Sequence, residues 1–578
     1  MVILHYRRCR RMKRWLVVGI MLMCFFFIGA EAEDNSLYIA KNGWKEGIIN
    51  TDGDWIVEPI YSRIWPYTSA GYAVVETEPA PLYSPFKLLD KQGNIVADLP
   101  DWHIDYSETQ LGGYEPEMAG NMFILDPMTE DRCSILYFAD TGRSIELDSS
   151  FLGYELYEEE DELTAKQEDK YPSSYSLYEW NDRVILEWWY YHPSFVILDR
   201  NGNKVKEEIY VGYIEDIYED EQSNSSYLLM REYNKSDEEL WKIIDMDGNI
   251  LSTKLSRHSY WRNDLKALYY EQKKEIEILP DGEKMSEFEF TKRKASQTPC
   301  GLAMWHTGYI DSQGNNVPWA DEDKGIISAT EFNSDGVAWV YKHYEDLCLV
   351  NAKGDMIVEN VIPEYNYDID NWITPSMDSW ESVSSDEKGC DYIKASGEML
   401  FGNYPLDRAY PFENGLAEIG ILDAQYKLVS AYINLEGKVV WAEDGRKEEI
   451  QKMLDEGKRY SVSNMTIEKA RQALIGEWYS SYDESEHVIA FYNDGTYSDK
   501  YEELQHWDIL MNMDQDEETM DSSPFVLELS TEGNNTTSSM RYKLRFYNVD
   551  EYRMDLGDEY TYFDRVEPGY LERFKMMQ

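Results

Sequence analysis

Gly47-Ile-Ile-Asn-Thr-Asp-Gly53-Asp-Trp-Ile-Val-Glu-Pro59 and, near the other end of the chain, Tyr432-Ile-Asn-Leu-Glu-Gly437-Lys-Val-Val are two copies of one pattern. An apolar strand runs into an Asx or small polar residue, a turn closes on glycine, and a second apolar strand leaves it. Eight further copies place that glycine at 93, 142, 202, 248, 282, 314, 354 and 397. The flanking β-branched and aromatic residues favour strands. The Asx-Gly pairs supply the positive φ of a tight primed turn or a G1 bulge, so each copy predicts a β-hairpin. A further strand precedes several copies, as in Tyr67-Thr-Ser-Ala-Gly-Tyr-Ala-Val-Val75 and Phe412-Glu-Asn-Gly-Leu-Ala-Glu-Ile419. The predicted unit is thus a three-stranded antiparallel meander of about forty residues.

Ten such units predict an all-β repeat protein in which each unit buries its apolar face against a neighbour. Propellers usually hold four to eight blades. A propeller-like ring, an arc, two modules and an open solenoid all remain open at this point. Phe-x-(Asn/Asp)-Gly-Leu-Ala, followed by Gly-x-Ile-(Asn/Asp)-x-x-Gly-x-x-Val and then Pro with an aromatic, resembles the WG (KWG) repeat of bacterial proteins. Residues 44–61 and 410–441 match best, the middle copies are degenerate, and the resemblance spans 37–442. It implies a β-repeat architecture and an interaction role; the motif carries no catalytic residue.

The N-terminus has the layout of an export signal. Arg7, Arg8, Arg10, Arg11, Lys13 and Arg14 precede an apolar run from Trp15 to Ile28, and Ala30-Glu31-Ala32 offers a cleavage site. The run is short for a membrane span, so cleavage after Ala32 is expected over retention as an anchor. Residues 1–32 are therefore read as a signal peptide, and the protein as extracellular or cell-envelope associated. The 578 residues carry 55 Lys and Arg against 110 Asp and Glu, a net charge of −55. Loss of 1–32 leaves 49 basic and 109 acidic residues, near −60. Such a surface repels nucleic acid and anionic headgroups, so neither nucleic acid nor membrane insertion is expected. Cys133, Cys300, Cys348 and Cys390 lie in different repeats without a C-x-x-C; export permits disulfides, and the pairing is open.

After Trp441 the composition shifts. Residues 443–474 read as a helical linker, with Asp444 and Thr466 as candidate N-caps and Gly457 as a stop. Residues 475–567 read as a small antiparallel β-barrel of alternating strands, with turns at Asp494-Gly495 and Asn534-Asn535. The opening Gly476-Glu-Trp478 and a last strand ending in Arg565 resemble a lipocalin-like barrel. That resemblance implies that Trp478 packs across the barrel floor near Arg565.

No G-x-S-x-G, P-loop, G-x-G-x-x-G or H-E-x-x-H is present. Asp245-Met-Asp247-Gly248-Asn249 begins like a calcium loop, but Ser256 stands where the bidentate Glu would be needed. Neither catalytic residues, a cofactor nor a metal is expected. The acidic run Glu158–Glu162 reads as a solvated loop. The aromatic run Trp188-Trp189-Tyr190-Tyr191 stands out. As a strand it places Trp188 and Tyr190 on one face and Trp189 and Tyr191 on the other, and one face offers a stacking platform for sugar rings or a partner's side chains. The expected function is non-enzymatic binding or scaffolding at the cell envelope, with protein or glycan as ligand. Two alternatives are a glycan-processing enzyme using an acidic pair and a small-ligand carrier acting through the C-terminal barrel.

Overall fold

The computed structural model describes residues 36–77, 86–99, 102–104, 106–108, 114–127, 133–153, 172, 174–189, 192–220, 225–233, 239–255, 259–262, 267–270, 273–278, 282–306, 308–320, 326–342, 346–359, 362–363, 380–385, 389–480, 487–499, 505–511, 525–533, 536–548, 551–556 and 559–566. The signal-peptide reading (1–32), the acidic run 158–162, Tyr190, Tyr191 and the turn Asn534-Asn535 fall outside them.

The turn motif has a simple local cause. In the second repeat Asp90 Oδ1 accepts the backbone N–H groups of Gln92 and Asn94, both at 2.9 Å, while Gly93 N–H donates to Asp90 O. Asn50, Asp199, Asp245, Asp311, Asn351 and Asn434 make the same pair of bonds. An Asx side chain bonding its own downstream backbone fixes the turn before any tertiary contact forms. In five repeats the hairpin register shifts just before this turn, as a bulge requires. The Asp245–Asn249 segment is one of these turns.

Among the described residues the ten turn glycines fall in ten small antiparallel sheets. Most hold four strands, which corrects the three-stranded unit. In the four-stranded sheets the extra strand leads, and it is as short as Arg63–Ile64 or Arg408–Ala409. Two residues are too few to display an alternating pattern.

Successive sheets bury one another's faces. One core joins the first and second sheets through Ile48, Val57, Ala73 and Leu89, and another joins the third and fourth through Ile124, Leu136, Leu186 and Val196. The eighth and ninth meet through Trp339, Leu349, Val383 and Ile393. The sixth and seventh are separated by the helix Glu287–Gln297, whose Phe288 packs edge-on to Trp305 at 5.3 Å. Its N-cap is Ser286, whose Oγ accepts Glu289 N–H.

The tenth sheet then packs on the first. Tyr38, Ile49, Leu416, Tyr432 and Trp441 share one core, with Trp55 edge-on to Trp441 at 5.6 Å. A repeated bond makes this seam equivalent to the interior junctions. The tyrosine opening the motif donates its hydroxyl to a carbonyl of the next unit: Tyr309 to Thr330 O (2.6 Å), Tyr392 to Tyr410 O (2.7 Å), and Tyr432 to Ile39 O (2.8 Å), which is 393 residues away. Behind it, Asn42 Oδ1 accepts Asp444 N–H and Glu443 Oε1 accepts Gly43 N–H. The series of interfaces therefore returns to its start.

The helix Lys447–Glu456 buries Ile450, Met453 and Leu454 against the ninth and tenth sheets and stops at Gly457 in the left-handed region. Asp444 does not cap it; Asp444 sits in a preceding 3-10 turn, and Arg446 holds the cap position. Thr466 Oγ1 accepts Lys469 N–H at the start of the helix Ile467–Leu474. Eight antiparallel strands follow, from Gly476–Ser480 to Glu559–Val566, each paired with the next. The first also pairs with the last, Trp478 opposite Arg565. Among the described residues no helix is long and apolar enough to cross a membrane.

Candidate binding site

The aromatic run divides when it folds. The strand Arg183–Trp189 lies inside the fourth sheet, between Ser174–Trp180 and Pro193–Asp199. Trp188 is 1 % exposed and packs among Tyr175, Met122 and Leu136, the core shared with the third sheet. It is therefore structural and not part of a binding surface: the period-2 alternation that exposes Trp189 turns Trp188 inward. Trp189 is 42 % exposed.

Around Trp189 the fourth and fifth sheets form a shelf. The Tyr213 ring stands edge-on to Trp189 at 5.6 Å, and the Arg231 guanidinium lies over Tyr213 at 5.3 Å. Arg231 Nε donates to Glu215 Oε1 at 2.6 Å. On the neighbouring strand Tyr178, 37 % exposed, donates its hydroxyl to Glu187 Oε2 at 2.9 Å. Burial lifts the Glu187 carboxyl above the usual range, against the lowering effect of the Tyr178 bond. Tyr213, Arg231, Glu215 and Tyr178 were not singled out in the sequence. The one signal that pointed here was the density of aromatic residues at 187–191; the fifth-sheet partners arrive through packing.

Other titratable groups serve structure. Glu46 Oε2 accepts Ile64 N–H of the second sheet at 2.6 Å, and Glu418 Oε1 accepts the Ser430 hydroxyl at 2.6 Å. Burial raises both carboxyls, and they repel each other across the seam. Glu381 is pushed up to about 7 by burial. Asp126 accepts from Ser134 Oγ and stands 3.7 Å from His103 Nε2. The carboxylate thus lies between hydroxyl and imidazole, the reverse of the order a histidine-activated serine requires. Among the described residues no group of three His, Cys, Asp or Glu side chains is placed to hold a metal, and Cys133, Cys300, Cys348 and Cys390 are free thiols.

In the C-terminal strands Trp478 is buried and its indole N–H donates to Leu474 O at 2.8 Å. The Arg565 guanidinium lies over the Trp478 ring at 4.5 Å and donates to Ile475 O (2.7 Å) and to Ala473 O. The pair ties the last strand to the end of the preceding helix.

Residues 47–78 match the family model of the WG containing repeat, so the chain carries a WG repeat there. No curated protein matches the chain. Among solved structures it is similar to a eukaryotic initiation factor at TM-score 0.35 and 10 % identity, over 71 % of this chain and 96 % of that one. It is also similar to BamB from Moraxella catarrhalis (0.20, 12 %, over 71 % and 87 %) and to the Dos1 propeller (0.22, 7 %, over 61 % and 87 %).

Proposed function

We propose that this is an exported, non-enzymatic binding or scaffold protein of the cell envelope, whose ten-sheet ring presents a rigid surface to a protein or glycan. The observation that carries this reading is the Trp189–Tyr213 shelf: a large aromatic side chain held exposed on the end of a packed strand, beside a fixed ion pair. The motif residues support it from the other side. Their Asx and Tyr side chains are engaged in turns and junctions, which leaves recognition to residues outside the motif.

The C-terminal strands are read as a lipocalin-like barrel. Trp478, Phe491, Trp507, Phe525 and Phe563 share one core with Ala470 and Leu474 of the preceding helix. So many large side chains favour a filled interior over a ligand cavity, so the binding is assigned to the repeats and not to a carrier barrel. Glu46 and Glu418, two buried carboxyls that repel each other across the seam, are where the glycan-processing alternative is tested.

Binding of the purified protein to cell-wall and dietary glycans and to envelope proteins, with product analysis on every hit, tests the proposal. Retention of a ligand without turnover is expected. Released oligosaccharide that disappears in Glu46→Gln or Glu418→Gln would replace it with the enzymatic reading.

A further inference from the structure

The chemistry of the shelf extends along the first strand of the fourth sheet. Ser174, Ser176 and Tyr178 recur at every second residue of Ser174–Trp180, so three hydroxyl-bearing side chains share one face with their Cα atoms at steps of about 6.6–6.8 Å, and the Tyr178 hydroxyl reaches back to Glu187 opposite Ser176. Ser174 lies opposite Trp189 and Ser176 opposite Glu187 in the antiparallel register. Ser174, Tyr178 and Trp189 are exposed, and Ser176 is half-buried. The Arg231 guanidinium lies over the Tyr213 ring and is paired with Glu215, a fixed donor beside a fixed acceptor.

A pyranose ring has two kinds of surface: an apolar face of C–H groups and an edge of hydroxyls that both donate and accept. The shelf offers the complement of each, an aromatic flank for the face and hydroxyls with a guanidinium–carboxylate pair for the edge. We infer that the shelf formed by Ser174, Ser176, Tyr178, Trp189, Tyr213 and the Arg231–Glu215 pair binds a neutral oligosaccharide. Neutrality follows from charge. The Arg231 cation is matched by Glu215 at 2.6 Å, Glu187 lies behind the hydroxyl row, and a chain of net charge −55 repels an anionic ligand. A polar strip carrying the exposed Ser174 hydroxyl suits a sugar chain better than an apolar peptide side chain, whose burial would take water from that hydroxyl without replacing it.

This inference rests on the binding reading above and sharpens its ligand. Calorimetric titration of protein expressed from the full chain with maltohexaose, cellohexaose, chitohexaose and hexagalacturonate tests it. At least one neutral hexasaccharide should bind. Trp189→Ala should weaken it at least tenfold and Trp189→Phe by no more than about threefold; Trp189→Phe, which keeps a ring against Tyr213, should melt with the wild type, and Trp189→Ala should remain folded at the titration temperature. Neutral binding that survives Trp189→Ala, preference for hexagalacturonate, or no hexasaccharide bound would each overturn the inference. Capture of an envelope protein without any sugar binding would overturn the glycan shelf while leaving the binding role standing.

Discussion

The seam between the tenth and first sheets and the junction between the sixth and seventh make an instructive pair. The first joins residues nearly 400 positions apart, yet it uses the tyrosine latch and the paired tryptophans of an intact motif. The second joins neighbours in sequence but has lost the motif around Gly282, and the helix Glu287–Gln297 fills the gap with Phe288 and Phe290. In this pair the contact follows the motif residues and not proximity along the chain: the intact copies meet face to face, and at the Gly282 copy a helix covers the apolar face instead.

The largest test of this contrast is Trp441→Ala. It empties the seam core beside Trp55 and Tyr432 and should cost about 3–5 kcal/mol. Hydrogen exchange should rise over Tyr38–Asn42 first, and an unchanged denaturation midpoint would show that the first sheet is not held by the tenth. Gly53→Ala comes next. Gly53 has φ +82°, and a Cβ there would stand 2.3 Å from Val440 O, so about 2–4 kcal/mol is expected. Gly43→Ala, at φ +63° with open space around it, should lose only the left-handed strain of about 1–2 kcal/mol, and equal losses would remove the seam contact from the explanation.

Smaller effects compare the seam with an interior junction directly. Tyr432→Phe and Tyr309→Phe each remove a hydroxyl bond to the next sheet, worth about 0.5–1.5 kcal/mol, and Tyr432→Phe also removes a bond to the Glu418 carboxyl. If the seam is built like the interior, the Tyr432→Phe loss measured by urea denaturation should be no smaller than the Tyr309→Phe loss. The smallest effect is the pH response of Glu418. Its folded carboxyl holds the proton above the ordinary value of 4.5, so folded protein binds more protons than unfolded and stability falls as pH rises through that raised value. Glu418→Gln should flatten this slope and raise the melting temperature at neutral pH; a steeper slope would mean that the carboxylate is stabilised across the seam.

Local patterning made much of this legible. Asp90, Asp199 and Asp311 bond their own turns, so Asx-x-x-Gly announces seven of the ten hairpins without help from the rest of the chain, and the turns at Gly142, Gly282 and Gly397 lack that Asx. The leading strands Arg63–Ile64 and Arg408–Ala409 were invisible because two residues show no period. In the candidate site Trp189 was legible as part of an aromatic run. Its separation from Trp188 follows once the buried face of the strand is known, and Tyr213 and Arg231 reach it from another sheet. Asp444 looked like a helix cap from residue type alone, but the backbone at that position is left-handed and joins the seam clasp instead.

By itself the sequence determined the all-β repeat, the position of every turn glycine and the acidic balance of the chain, because each depends on short-range bonding or on composition. The tertiary structure alone decided that the series of sheets returns to its start, which aromatic side chain stays in solvent, and which partners gather round it. Those outcomes depend on contacts between residues far apart in the chain, where no local pattern carries the information.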